Sequence, residues 1–185
     1  MNRIKKYVNS LRVFRTWHRY LGLILLIFIL ISSVTGVLLA WKKNVATLQP
    51  PTQKGISRDL STWKSVDDLA QLAQQALTKR YPEEGENTVS RIDVRPSKGI
   101  AKVLFENNSW EVQVDGTNGD IKSIGKRHAD WIETLHDGSI ISDLFKVVSM
   151  NFLGLGLIFM LLSGYWLWYA PRQVRLLKKS KEPRL

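Results

Sequence analysis

Two uncharged apolar blocks constrain this chain more than anything else in it. Residues 21–40 read LGLILLIFILISSVTGVLLA, and residues 147–170 read VVSMNFLGLGLIFMLLSGYWLWYA, with Asn151 the one strongly polar member. A helix of such length, rising about 1.5 Å per residue, crosses a hydrocarbon core of about 30 Å. Trp17, Tyr20 and Trp41 bracket the first block, and Tyr165, Trp166, Trp168 and Tyr169 crowd the end of the second. Amphipathic rings prefer the headgroup level, so these positions read as span ends. The first block is too long for the apolar region of a signal peptide, and Trp41-Lys42-Lys43 is a poor cleavage context, so it reads as a retained anchor.

Charge is distributed as unevenly as hydrophobicity. Residues 1–20 hold six Lys/Arg and no acid; residues 171–185 hold six and one acid, Glu182. The flanks therefore carry the whole net charge of +11, and residues 42–146 are neutral. A nucleic-acid binder needs its basic surplus on the folded domain, so that class is excluded. The positive-inside rule places both tails in the cytoplasm and residues 42–146 outside, which in a two-membrane bacterium means an inner-membrane protein with a periplasmic domain. The absence of cysteine excludes a disulfide scaffold, a thiolate metal site and thiol chemistry.

The expected organisation is a basic cytoplasmic tail (1–20), a first transmembrane helix (21–41), a linker (42–62), an outer domain (63–126), an interfacial amphipathic segment (127–146), a second transmembrane helix (147–170) and a second basic cytoplasmic tail (171–185). In the outer domain, Ser65 with Asp68 three residues on forms a capping-box variant. Val66, Leu69, Ala70, Leu72, Ala73, Ala76 and Leu77 follow at helical spacing, and Pro82 ends the helix after Tyr81. Residues 88–95, 100–106 and 110–115 read as strands, and 121–124 as a short fourth. Trp110, Val112 and Val114 alternate with Glu111, Gln113 and Asp115. Asn107-Asn108 and residues 116–119 supply hairpin turns. The expected core is Leu69, Leu72, Ala73, Leu77, Val103 or Leu104, Trp110, Val112 and Val114. Asp93 and Glu111 read as solvated acids on the sheet face. The fold class is thus an α+β membrane protein, with two transmembrane helices flanking one helix laid on an antiparallel sheet. Between the outer domain and the second span, Trp131, Ile132, Leu135, Ile140, Ile141, Leu144 and Phe145 give an apolar side broken at Asp137-Gly138. They suggest helical pieces at the outer membrane surface.

Thr16-Trp17-His18-Arg19-Tyr20-Leu21-Gly22-Leu23, followed by Thr35-Gly36-Val37-Leu38-Leu39, resembles the first helix of the PepSY-associated transmembrane family. Leu135-His136-Asp137-Gly138 and Leu162-Ser163-Gly164-Tyr165-Trp166-Leu167-Trp168 resemble its second signature. The helix and strands through Val112-Gln113-Val114-Asp115 and Gly119-Asp120-Ile121 are similar to the PepSY domain itself. The resemblance covers all but the tails and the linker. It implies two different functions. Longer relatives look like haem-containing inner-membrane reductases of ferric siderophores, with about twice as many spans and more intramembrane histidines. The isolated PepSY domain is similar to binding or inhibitory modules of protease propeptides and sensors.

The chain has three histidines, His18, His128 and His136. His18 stands before the first span and His136 before the second, at opposite boundaries of a core of about 30 Å, so they do not share one iron. His128 and His136 are about 12 Å apart along a continuous helix, which is also too far. Imidazole is a common haem ligand, and a twofold axis would bring each histidine towards its mate in a homodimer. Ser32 with Gly36, and Gly22, Gly154, Gly156 and Gly164, offer small faces for such helix approach. On the resemblance, the expected cofactor is b-type haem held by His18 and His136, with Arg19 on a propionate and the electron donor unknown. No glycine-rich dinucleotide turn is present. On the residues alone, His18 and His136 are interfacial polar groups bonding backbone or lipid, His128 is a surface residue, and Arg19 contacts lipid phosphate or sets topology. A membrane-anchored PepSY binding or regulatory module, or an accessory subunit of a larger redox or metal-uptake complex, are the alternatives to electron transfer.

Overall fold

The computed structural model describes residues 2–84, 87–106 and 108–180. Asn107, from the expected hairpin turn, and the last five residues of the basic tail lie outside them. Among the described residues, four α-helices and four strands run in the order α1 (Asn2–Ala40), α2 (Val66–Arg80), β1 (Val89–Arg95), β2 (Ile100–Phe105), β3 (Trp110–Asp115), β4 (Ile121–Lys126), α3 (His128–Asp137) and α4 (Asp143–Lys179), with short 3-10 turns between some of them. The chain divides into two compact units, Met1–Gly36 with Thr134–Leu185, and Val37–Glu133.

The first unit is an antiparallel pair of long helices. Helix α1 has 39 residues and α4 has 37, so each continues well past its apolar block. Within their most apolar stretches only 11% and 6% of residues are buried, which is the exposure of lipid-facing helices and the opposite of soluble core helices. Leu23, Ile27, Leu30 and Val37 on α1, and Leu155, Leu161 and Leu162 on α4, lie outward. The inner seam is marked by ring contacts along its length. Tyr7 stacks on Trp166 at 5.9 Å, Phe14 on Phe159 at 6.4 Å, and Phe28 meets Phe152 edge-on at 6.0 Å. Leu25, fully buried, fills the space left by Gly156.

This seam corrects the expectation that small residues form a face for a second copy. Gly22 is covered by Met160, Gly156 by Leu25, Gly164 by His18 and Gly36 by His136, all within the chain. Gly154 alone of these glycines has nothing within 4 Å of a Cβ position. Close approach between α1 and α4 is what these residues permit.

The second unit is a meander. Its strands pair in sequence order β1-β2-β3-β4, every neighbour antiparallel. Helix α2 starts as expected: Ser65 Oγ accepts from Asp68 N–H at 3.1 Å and donates to the Asp68 carboxylate at 2.7 Å. It ends at Arg80, with Tyr81 as C-cap before Pro82. Leu69, Ala73 and Leu77 pack on Ala101, Val103, Phe105, Trp110, Val112 and Val114. The named core is therefore correct except Leu72, which is half-buried, and both Val103 and Leu104 are buried.

The other face of the sheet differs from the expectation. Glu111, Gln113 and Asp115 are fully buried, as is Lys102 beside them. The segment 50–57 lies over this face as a strap. Gln53 N–H donates to Gln113 Oε1 at 2.8 Å, Gln113 Nε2 to Pro51 O at 3.1 Å, Ile56 N–H to Asp115 Oδ2 at 3.0 Å, and Gly55 N–H to Lys98 O at 2.8 Å. Glycine is required at 55, since a Cβ there would sit 1.8 Å from Gly99 O. Glu111 is thus no solvated acid. It takes Lys102 Nζ at 2.9 Å, Gln113 Nε2 at 2.8 Å and Arg127 Nη1 at 3.3 Å, and Arg127 also binds Asp130. A buried carboxylate needs such partners. Asp93 remains part-exposed between Arg91 and Arg95.

The break at Asp137-Gly138 falls where the sequence places it. Helix α3 ends at Asp137, Gly138 takes φ +83°, and Ser142 caps α4 by accepting from Phe145 N–H at 3.1 Å. A left-handed residue at a helix C′ position is the usual place for glycine.

Candidate functional site

His18 and His136 occupy matching seats at two separate levels of the helix pair. His18 Nδ1 lies 2.7 Å from Ser163 Oγ, and a Cβ on the next residue, Gly164, would be 3.6 Å from His18 Cε1. His136 Nδ1 lies 2.8 Å from Thr35 Oγ1, and a Cβ on Gly36 would be 3.4 Å from His136 Cε1. Each imidazole therefore sits on a hydroxyl-glycine dipeptide of a neighbouring helix. His18 and Thr35 stand 17 positions apart on α1, about 25 Å of helix rise, so the two seats are separate sites.

The hydrogen-bond network fixes the tautomer. A hydroxyl has one proton and two lone pairs. Ser163 Oγ donates its proton to Phe159 O at 2.6 Å, and Thr35 Oγ1 donates to Ile31 O at 2.6 Å. Both hydroxyls are left as acceptors, so both histidines donate from Nδ1. In a neutral imidazole the lone pair is then on Nε2. Among the described residues neither Nε2 has a polar partner. A ring held at one nitrogen with the other nitrogen basic is how proteins present histidine to a metal.

His136 also lines a groove of about 470 Å³. Its walls are mainly apolar, from Phe28, Ile31, Phe145, Leu153 and Leu157 of the helix pair and Ile140 and Ile141 of the turn, with Ser32, Asp137 and Ser149 as further polar points. An ion pair closes the turn beside it. Asp137 binds Lys146, and its Oδ1 accepts from Ser139 N–H at 2.9 Å and Ser139 Oγ at 2.6 Å. The Lys146 hydrogen bond, with those from Ser139, lowers the Asp137 pKa to about 2 against the opposing effect of burial.

The other sequence candidates lie elsewhere. Arg19 is exposed, with its guanidinium 5.2 Å from the Tyr20 ring. His128 is exposed at the start of α3. Among the described residues no group of three or more His, Cys, Asp or Glu is placed to hold a metal ion. The residues that sequence reasoning passed over are Thr35, Ser163, Asp137 and Lys146. Their signal was present: Thr35-Gly36 and Ser163-Gly164 are the hydroxyl-glycine pairs inside the two apolar blocks.

No curated protein matches the sequence. The family described as PepSY-associated TM region matches residues 15–184, which takes in α1 from residue 15 onward, all of α4, both histidine seats and the whole sheet unit. The protein is a membrane protein of the PepSY-associated TM family.

Proposed function

We propose that the protein carries electrons across the inner membrane through b-type haem and supports reduction of ferric siderophores or other iron in the periplasm. The observation that carries this reading is the His136 seat. There an imidazole, fixed at Nδ1 by Thr35, keeps Nε2 unengaged on an apolar groove of about 470 Å³. When bound, haem supplies a one-electron couple.

The residues present fit such a group. His136 and His18 would hold the haem iron through Nε2. Thr35 and Ser163 orient the rings, and the apolar walls beside His136 exclude water. Arg19 is available to a propionate. Each seat offers one imidazole, so a second copy of the chain or a partner subunit completes the ligation, and a partner or the quinone pool is the electron donor. Both basic tails lie in the cytoplasm in this reading, and the sheet unit in the periplasm.

The test is the visible spectrum of protein purified from membranes of haem-replete cells, oxidised and then dithionite-reduced. A Soret band and a sharp low-spin α-band are expected. His18→Ala and His136→Ala each lower haem content, and His128→Ala does not. Protein without Soret absorbance overturns electron transfer and leaves the membrane-anchored PepSY binding or regulatory module as the better account.

A further inference from the structure

We infer that the end of the helix pair carrying Tyr7 and Trp166 holds a defined site for the phosphate of an anionic phospholipid. A groove of about 410 Å³ is lined there by Arg3, Lys6, Tyr7, Ser10 and Trp166. Its floor is rigid, because Tyr7 stacks on Trp166 at 5.9 Å and Trp166 Nε1 donates to Ser10 Oγ at 2.8 Å. Ser10 Oγ is an acceptor in that bond, so its own proton is left to donate. Three donors of different kinds, a guanidinium, an ammonium and a hydroxyl, therefore meet at one groove. That set suits a phosphate monoanion.

Among the described residues, charge points to an anion from outside the chain; Glu182, the one acid of the C-terminal tail, lies outside them. The first acid in the sequence is Asp59, and the only acid of α4 is Asp143 at its far end. Among the described residues no cation of α1, and none of Arg172, Arg175, Lys178 and Lys179, pairs with a carboxylate. The surroundings say that the anion is a lipid. Tyr165, Trp168 and Tyr169 lie beside Trp166, and this aromatic cluster is of the kind found at headgroup depth. Basic pockets between membrane helices take anionic headgroups there.

The experiment uses the full chain, delipidated in neutral detergent and given an equimolar mixture of dioleoylphosphatidylglycerol and dioleoylphosphatidylcholine. Retained lipid is read by native mass spectrometry. Wild type should prefer phosphatidylglycerol by roughly tenfold or more. Arg3→Gln with Lys6→Gln should bring the preference close to one, and Ser10→Ala should lower it. Lys6→Arg, which keeps the charge, should retain it. The double variant Lys5→Gln with Arg15→Gln removes equal charge away from the groove and should leave the preference in place. Loss of preference in that control, or none in wild type, overturns the site in favour of diffuse attraction or an acidic protein partner. Displacement of the lipid by inorganic phosphate overturns the lipid as its occupant.

Discussion

His136 donates from Nδ1 to Thr35 Oγ1 across 2.8 Å, joining positions 101 residues apart in sequence. Thr35 is 4% exposed, so this hydroxyl is dry, and its own proton is held by Ile31 O. The bond is directional: it sets the ring plane and leaves the second nitrogen as a base. Ser163 does the same for His18 from the other helix.

Removing either hydroxyl should free the ring. Thr35→Val keeps the shape and deletes the acceptor. Nitrogen-15 NMR of the histidine rings at neutral pH should show the Nδ1–H form in wild type. A tautomer mixture at His136 is expected in Thr35→Val, and one at His18 in Ser163→Ala. Thr35→Ser should restore the single form. Where haem is bound, loss of such a supporting partner should weaken it by about tenfold or more. An unchanged tautomer in Thr35→Val would show that something else orients the ring.

The long elements of this molecule were readable because their causes are local. Uncharged runs give α1 and α4, Ser65 and Pro82 bound α2, and strict alternation in Trp110–Asp115 gives β3 and its inward face. What was not readable depends on contacts far apart in sequence. Glu111, Gln113 and Asp115 look like a wet sheet face by alternation alone. They are buried because a proline-containing segment some 60 residues earlier bonds to them. The histidines were visible as residue types at span ends. Their partners stood in the sequence as hydroxyl-glycine pairs, but which ring each one holds was not visible, because helix register across separations of 101 and 145 residues cannot be read from a single sequence.

The strap makes residues 43–133 a fuller folding unit than the outer domain alone, taken with two preceding residues as the fragment 61–126. A fragment 61–126 lacks the strap and Arg127, and so exposes Asp115 and leaves Glu111 without one cation. Fragment 43–133 should unfold cooperatively by circular dichroism in urea, with a higher midpoint than 61–126. Within it, Glu111→Ala strands Lys102, which is 1% exposed, and should cost about 3–5 kcal/mol. Trp110→Ala, from the opposite face, should cost a similar 3–5 kcal/mol. Equal midpoints for the two fragments would mean that the strap contributes nothing to stability.

Orientation in the membrane has a direct test. With the twelve flanking cations on the tails, alkaline phosphatase fused after Thr117 should be active and the same reporter at the C-terminus inactive. The reverse pattern would place the sheet unit in the cytoplasm. It would also move His136 to the cytoplasmic side and His18 to the outer side.

Acid should loosen the turn beside His136. Hydrogen bonds from Lys146 and Ser139 hold the Asp137 pKa at about 2, below its ordinary value. The folded form therefore binds fewer protons than the unfolded one between those two pH values. The stability this contributes is complete above the unfolded carboxylate pKa of about 4 and drains away as pH falls towards 2. Asp137→Asn has no such proton to take up. Detergent-solubilised wild type and Asp137→Asn, melted at pH 5, 4, 3 and 2.5, should therefore converge. Wild type should be the more stable at pH 5, and the difference should shrink steadily below pH 4. Lys146→Met should flatten the same window from the other partner. Other acids, Asp115 among them, titrate alike in both proteins, so the difference isolates this pair. Parallel curves from pH 5 to 2.5 would show that the Asp137–Lys146 pair does not hold the turn, and that Gly138 and the Ser142 cap suffice to place His136.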